Sequence, residues 1–477
     1  MLRLKIGLLL GCMVCVAGVL ASLNGCGGAV SGGGNPPPPP PPPSGKIKHV
    51  VIIFQENRTP DNLFHDPVLM SRGADIATTG KNSKGETVTL TPVPLVVDYD
   101  FSHSHTSFLT AWDNGAMDGA DQENTSCDGS DCPPPPNAEY QYVQASDVQP
   151  YFTMAETYAF ADRMFQTNQG PSFPAHQYII SGTSAIAENS VFDASSNPNH
   201  SAGLAGCISP PGSVSKIIDT TNPDPKTNET QTMYPCFEHP TLTDLLDAKQ
   251  MSWKYYTPSS ASMGIWTGPN AILHMCGPDQ PPPNGTECQA AEWTNHVVIP
   301  QTQVLTDIAS GQLAAVSWVI PDGAHSDHAG GDTKGLGPSW VASIVNAIGS
   351  SQYWADTAIF IAWDDWGGWY DHQPPPRIFN SYEYGFRVPL IVISPYAKAG
   401  YISHATHDFG SILKFIETQF SLPTVGPGDG YADSRADDLS DCFDFNQTPL
   451  TFTPISAPVG AQYFLNDKSA PTPPDDD

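Results

Sequence analysis

Four nearly unbroken apolar runs limit what this chain can fold into more than any other feature. They are Lys48 to Phe54 (KHVVIIF), Ala314 to Ile320 (AAVSWVI), Thr357 to Trp363 (TAIFIAW) and Pro389 to Ile393 (PLIVI). A strand wetted on one face alternates apolar and polar residues. These runs do not, so they read as strands covered on both faces, the condition of a parallel sheet. Helical stretches lie between them, among them Ser339 to Ile348 and Gly410 to Phe420. Strands alternating with helices predict an α/β fold built on a doubly wound, mostly parallel sheet.

The strand ends carry the next constraint. The first run ends in Gln55-Glu56-Asn57-Arg58, the second in Pro321-Asp322-Gly323, the third in Asp364-Asp365 and the fourth in Ser394-Pro395. Three of the four therefore release acidic or amide side chains just past their carboxyl ends. Ligands of open α/β sheets bind along that edge. Residues 56, 322 and 364, far apart in sequence, are expected to meet there.

Charge narrows the ligand. The chain has 477 residues, with 49 Asp plus Glu against 20 Lys plus Arg, a formal net charge of −29. Such a field repels nucleic acid and other polyanions, so no nucleic-acid partner is expected. A phosphate-bearing substrate would need a local reversal of that field, which a bound cation supplies.

The ends of the chain read differently from its body. Arg3 and Lys5 precede an apolar run to Leu23, and Asn24-Gly25-Cys26-Gly27 follows. This is the pattern of a secretory signal over residues 1–26, with export from a bacterial cell to periplasm, outer membrane or exterior. Leu23-Asn24-Gly25-Cys26 also resembles a lipobox, in which Cys26 would carry a lipid and tether the protein to a membrane. Residues 27–45 are glycine-rich and then polyproline (Pro36 to Pro43), a spacer between that end and a body over 46–457. Within the body, residues 185–300 are rich in Asn, Pro, Ser and Cys and are expected to form a loop-rich insertion or cap. Residues 458–477 read as a disordered tail. In an oxidising compartment the neighbouring cysteines are expected to pair as 127–132, 207–236 and 276–288, leaving Cys442 over.

Within the body, Glu56-Asn57 and Asp364-Asp365 offer hard oxygen donors suited to a divalent cation, whether calcium, magnesium, manganese or zinc. One acidic pair alone would be an ordinary solvated turn. Two pairs at equivalent ends of buried strands need a counter-charge. Gly170-Pro171-Ser172-Phe173-Pro174-Ala175-His176 sets one hydroxyl in a rigid turn before a helix. Ser172 reads either as a plain helix cap or as a nucleophile activated by metal and helix-end amides. The histidines cluster in polar loops: His103 and His105 in FSHSH, His325 and His328 in DGAHSDHAG, and His372 in WYDH. His328 is the one placed to act as an acid or orienting group.

These segments resemble the phosphoesterase family that holds bacterial phospholipases C and a respiratory-burst-inhibiting acid phosphatase, related in fold to alkaline phosphatase. The matching stretches are HVVIIFQENRTPDNLF (49–64), FSHSHTSFLTAWDNGAMDG (101–119), FADRMFQTNQGPSFPAHQYIISG (160–182), DGAHSDHAGG (322–331), IAWDDWGGWYDHQPPP (361–376), the segment 384–417 and SRADDLSDCFDF (434–445). The resemblance implies a metal held by Glu56, Asn57, Asp364 and Asp365, with Ser172 touching it as nucleophile. It implies roles for His103, with His105 as fallback, and for His328, although Ala329 stands where proline is usual. Pro60 and Asn62 also depart from the family's first motif, and His274 is a weak match for a further histidine of the middle region.

The implied activity is hydrolysis of phosphate esters through a phosphoserine intermediate, of the acid phosphatase or phospholipase C type. The substrate is then a simple phosphate ester or a phospholipid. A sulfatase would need a CxPxR-type motif, which GPSFPAH is not. The remaining alternative is a non-enzymatic surface lipoprotein using the same scaffold for binding.

Overall fold

The computed structural model describes residues 45–199, 203–258, 264–277, 287–330, 333–376, 379–426, 428 and 430–474. The proposed signal at 1–26 with Cys26, and the spacer up to residue 44, lie outside the described residues.

An eight-stranded sheet forms the centre. Its strands are β1 (His49–Gln55), β2 (Ala159–Ala161), β3 (Trp253–Tyr256), β4 (Val297–Val298), β5 (Val316–Val319), β6 (Thr357–Trp363), β7 (Leu390–Ile393) and β8 (Tyr401–Ser403). Their order across the sheet is β4-β3-β5-β1-β6-β7-β2-β8. The block from β4 to β6 is parallel throughout. In register, Ile53 of β1 lies opposite Val319 of β5 and Gln55 opposite Trp363 of β6, so the three polar strand ends share one edge. All seven residues of β6 and the last six of β1 are buried, as expected of strands covered on both faces.

Helices cover the sheet in two groups. One contains α1 (Ala145–Thr157), α3 (Gly337–Gly349) and α5 (Ala461–Asn466), the other α2 (Ser172–Ser181) and α4 (Phe409–Phe420). The expected helices at 339–348 and 410–420 are thus present, slightly longer than the apolar pattern implied. At its start, α4 is closed by reciprocal bonds between Asp408 and Ser411. At its end, α2 stops at Gly182, whose φ of +70° lets its N–H reach Tyr178 O.

The structure differs from the sequence reading at three places. The run 389–393 does form a strand, but β7 is antiparallel to both neighbours, so Ser394-Pro395 lies at the edge opposite the other strand ends. The segment 185–300 is more than an insertion. It carries a small three-stranded sheet and also supplies β3 and β4 to the central sheet. Those strands escaped notice because they have four and two residues, and Trp253-Lys254-Tyr255-Tyr256 has no aliphatic run. The tail folds in part. Phe464 of α5 is buried edge-on against Trp340 of α3 (centroids 5.2 Å apart), and Gly323 N–H donates to Thr472 O at 3.0 Å. Two adjacent apolar residues, Phe464 and Leu465, are enough to seat it.

The three expected disulfides, 127–132, 207–236 and 276–288, are formed, and Cys442 is a buried free thiol. Among the described residues no helix is long and apolar enough to cross a membrane.

Candidate active site

The site begins where β1 and β6 run out. Past β1, Glu56 is fully buried and Asn57 turns the chain with φ +62°, a left-handed conformation that asparagine tolerates better than most residues. Past β6, Asp364 N–H still donates to Gln55 O (3.0 Å) and Arg58 N–H to Asp365 O (3.0 Å). The two loops are therefore stitched together beyond the sheet. Gly367 permits their close approach, since a Cβ there would lie 2.5 Å from Asn57 Cβ and 2.6 Å from Asn57 O.

The carboxylates are oriented from the backbone. Asp364 Oδ1 accepts from Asn57 N–H (3.1 Å) and from Asp365 N–H (2.8 Å), and Asp365 Oδ1 accepts from Gly367 N–H (2.7 Å). Ser172, the first residue of α2, follows Gly170-Pro171 and donates its hydroxyl to Asp365 Oδ2 at 3.3 Å. Glu56, Asn57, Ser172, Asp364 and Asp365 thus come together, all but Ser172 with no measurable exposure.

Two imidazoles border this cluster. His103 Nδ1–H donates to Phe101 O (2.9 Å) and His328 Nδ1–H to Ala329 O (2.7 Å). Those carbonyls fix the tautomers, so both Nε2 atoms accept from the Asn57 amide, at 3.4 and 2.9 Å. His103 Nε2 also lies 3.9 Å from Asp365 Oδ2, and the two rings are edge-to-face with centroids 6.0 Å apart. With its amide hydrogens so engaged, Asn57 has no hydrogen-bond partner for its Oδ1 among the described residues.

The loop bearing His328 is held by Asp327, whose Oδ2 accepts from Tyr151 OH (2.8 Å) and Trp363 Nε1–H (3.0 Å). Burial pushes the Asp327 carboxyl up to about 6 against the pull of Arg58. Arg58 donates from Nε to Asp327 O and from its two terminal nitrogens to Asn62 Oδ1 and Leu95 O, so it points away from the carboxylate cluster. Asn62 and Pro60, the departures from the family's first motif, sit in a short helix capped by Thr59.

Electrostatically the cluster gathers three carboxyl groups, Glu56, Asp364 and Asp365, in a fully buried site. Burial drives the Glu56 and Asp365 carboxyls well above the ordinary range, and the Asp364 charge between them adds to both. Burial opposes the Asp364 carboxylate too, but His176 beside it outweighs this and holds it below its ordinary value. Neither Glu56 oxygen, nor Asn57 Oδ1, nor Asp364 Oδ2 has a hydrogen-bond partner among the described residues. Buried oxygens rarely stay unpaired, and four converging ones fit a hard divalent cation.

Sequence reasoning missed one member of the cluster. His176, fully buried on α2, lies 3.5 Å from Glu56 Oε1 and 3.6 Å from Asp364 Oδ2. Its spacing of four from Ser172 was the available signal, because residues i and i+4 share a helix face.

Other named residues are elsewhere. Asp322 pairs with His325 under the tail. His105 lies 3.7 Å from Glu229, and His274 bonds Glu238 at 2.7 Å. His372 belongs to a buried ion network in which Arg387 donates to Asp371 Oδ1 (2.6 Å) and Asp61 Oδ1 (3.2 Å), while His372 Nδ1 lies 2.6 Å from Asp61 Oδ2. That network ties the loop after Glu56-Asn57 to the loop after Asp364-Asp365.

The model of the Phosphoesterase family matches residues 47–423. The chain belongs to that family. Relatives include a non-hemolytic phospholipase C of Burkholderia pseudomallei, 27% identical over 283 residues, with 49% of this chain and 38% of that one covered. A non-hemolytic phospholipase C of Pseudomonas aeruginosa is 22% identical over 473 residues, covering 87% and 60%. The chain thus spans less than two thirds of the length of either. A solved protein of the alkaline phosphatase superfamily from Vibrio parahaemolyticus superposes with a TM-score of 0.36 at 10% identity, covering 84% of this chain and 71% of that one.

Proposed function

We propose that this phosphoesterase-family chain is an exported, metal-dependent hydrolase of phosphate esters that uses Ser172 as nucleophile. The observation carrying this reading is the convergence of one helix-end hydroxyl, a set of buried unpartnered oxygens and two tautomer-fixed imidazoles at a single sheet edge. Glu56, Asn57, Asp364 and Asp365, with Ser172, would hold a divalent cation, which when bound neutralises phosphoryl oxygens and lowers the pKa of the Ser172 hydroxyl.

The residues then divide the work. Ser172 Oγ attacks phosphorus in line with the ester oxygen, its proton passing to a neighbouring base. The new Oγ–P bond forms as the P–O bond to the leaving group breaks. His328 or His103, after taking up a proton at Nε2, stabilises the developing charge or delivers that proton to the leaving oxygen. Asn57 keeps both Nε2 atoms facing the reaction centre. Water then attacks phosphorus of the phosphoserine, releasing phosphate or a phosphorylated head group and restoring Ser172.

The relatives named above are phospholipases C, which favours a phospholipid diester, whereas the serine at this turn leans toward monoesters within the family. A panel of phosphatidylcholine, sphingomyelin and p-nitrophenyl phosphate, each with and without chelator, separates the two. Hydrolysis of none by metal-replete protein would favour the non-enzymatic binding role. We further propose that residues 1–26 direct export, with Cys26 as a lipid tether. Ser172→Ala should abolish turnover with the fold intact, and wild-type activity in that variant would refute the nucleophile assignment.

A further inference from the structure

We infer that His176 is a ligand of the metal centre, giving it a nitrogen donor and a preference for zinc or another first-row transition ion over magnesium and calcium. The inference rests on the metal-dependent reading above and adds a donor that neither the sequence motifs nor the family resemblance assigns.

Three buried atoms carry it. His176 has no measurable exposure, and neither of its ring nitrogens has a hydrogen-bond partner among the described residues. Its Nε2 faces Glu56 Oε1 at 3.5 Å and Asp364 Oδ2 at 3.6 Å, and each of those oxygens is unpartnered as well. Both separations exceed the roughly 2.7–3.2 Å of a good N–H···O bond. A buried imidazole almost always spends at least one ring N–H on a carbonyl or carboxylate, as His103 and His328 do here.

The separations suit a different arrangement. Two donors bound at about 2.1 Å to one ion, at a tetrahedral angle, lie about 3.4 Å apart. Nε2, Oε1 and Oδ2 all fall within 4.8 Å of one another, so a single ion can touch all three. Helix geometry delivers the ring to this point. Ser172 and His176 are one turn apart on α2 and face the same strand ends. A purely oxygen-lined site suits magnesium, calcium or manganese, whereas an imidazole moves preference toward zinc, iron, nickel or copper.

The competing assignment is an imidazolium that merely neutralises Glu56 and Asp364. Metal binding and spectroscopy on the full chain distinguish the two without measuring turnover. Metal-free wild type, His176→Gln and His103→Gln are titrated with Zn²⁺, Co²⁺ and Mg²⁺ against a chromophoric chelator. X-ray absorption of the zinc-loaded wild type reports imidazole scattering directly. We expect one tight zinc per wild-type chain with an imidazole in its shell. In His176→Gln that imidazole should be lost and zinc affinity should fall by roughly 100-fold, while magnesium affinity changes little. The Co²⁺ visible spectrum should change in His176→Gln and persist in His103→Gln.

Wild-type absorption without imidazole overturns the inference even if His176→Gln fails to fold. So does unchanged zinc affinity and Co²⁺ spectrum in His176→Gln, or loss of the imidazole in His103→Gln instead. A wild type that binds no divalent ion fails the metal-dependent reading itself, and is recognised because Glu56→Gln then behaves identically.

Discussion

Arg387 offers the sharpest quantitative test, because it clamps both ligand-bearing loops without touching the proposed metal centre. Its guanidinium is fully buried and donates to Asp371 through Nε (3.0 Å) and Nη2 (2.6 Å), to Asp61 through Nη2 (3.2 Å), and to the Asp75 and Asp162 carbonyls through Nη1 (2.8 Å each). Arg387→Met keeps most of the volume but leaves two buried carboxylates without their main counter-charge. Breaking a buried pair from one side costs about 3–5 kcal/mol. We expect about 4 kcal/mol from denaturant unfolding at pH 8, with activity falling in parallel as the loops loosen.

The pH dependence gives the mechanism away. In the native protein burial alone would raise the Asp61 carboxyl, but Arg387 and His372 overcome it and hold it below its ordinary value. Its contribution to stability is therefore complete above the unfolded pKa, about 4, and is lost as pH falls through the depressed folded value. Without Arg387 burial prevails, the folded pKa rises above the unfolded one, and stability is lost as pH rises. The gap between variant and wild type must therefore widen from pH 5 to pH 8. A difference below about 1 kcal/mol at pH 8, or one larger at pH 5, would refute the claim that charge compensation holds the loops.

Four further outcomes are expected. Chelator should lower the wild-type unfolding temperature, and added zinc at 100 times its dissociation constant should restore about 2.7 kcal/mol, measured by calorimetry. Asn57→Ala should reduce kcat by roughly 100-fold, comparable with loss of one preorganised polar group, read with p-nitrophenyl phosphate at saturating metal. Asp327, raised to about 6, lends stability that is full below its unfolded pKa near 3.9 and is lost as pH rises through its folded value. Asp327→Asn should therefore flatten the stability curve between pH 4 and 6. Phe464→Ala should cost about 3 kcal/mol in urea unfolding if the tail is seated on Trp340 as described.

Much of this was legible because of where the apolar runs stop. β1 and β6 could be read almost residue for residue, since a strand buried on both faces admits no polar interruption, and Glu56-Asn57 and Asp364-Asp365 followed as their ends. The choice of His103 over His105 rested on the family resemblance and not on the residues themselves. Two residues apart in FSHSH, they are separated only by the fold, which turns His103 toward Asn57 and His105 toward Glu229. His176 was hidden inside a motif read for its serine. The strands β3 and β4 were hidden because β3 takes its register from β5 and β4 takes its own from β3, rather than from any pattern of their own. The tail looked disordered by composition, yet tertiary contact with α3 outweighed that.

The reversed direction of β7 has a further consequence. Running against β1 and β6, it is entered from the edge where those strands end, and Arg387 stands three residues before its first residue. Were β7 parallel like its neighbours in the first half of the sheet, that residue would enter at the far edge, about 13 Å away for a four-residue strand. A single change of polarity therefore lets a residue preceding one strand brace the loops that follow two others. The reactive edge is built like an arch with its keystone inserted from above, and the bearing stress falls on Arg387 rather than on the groups that do chemistry.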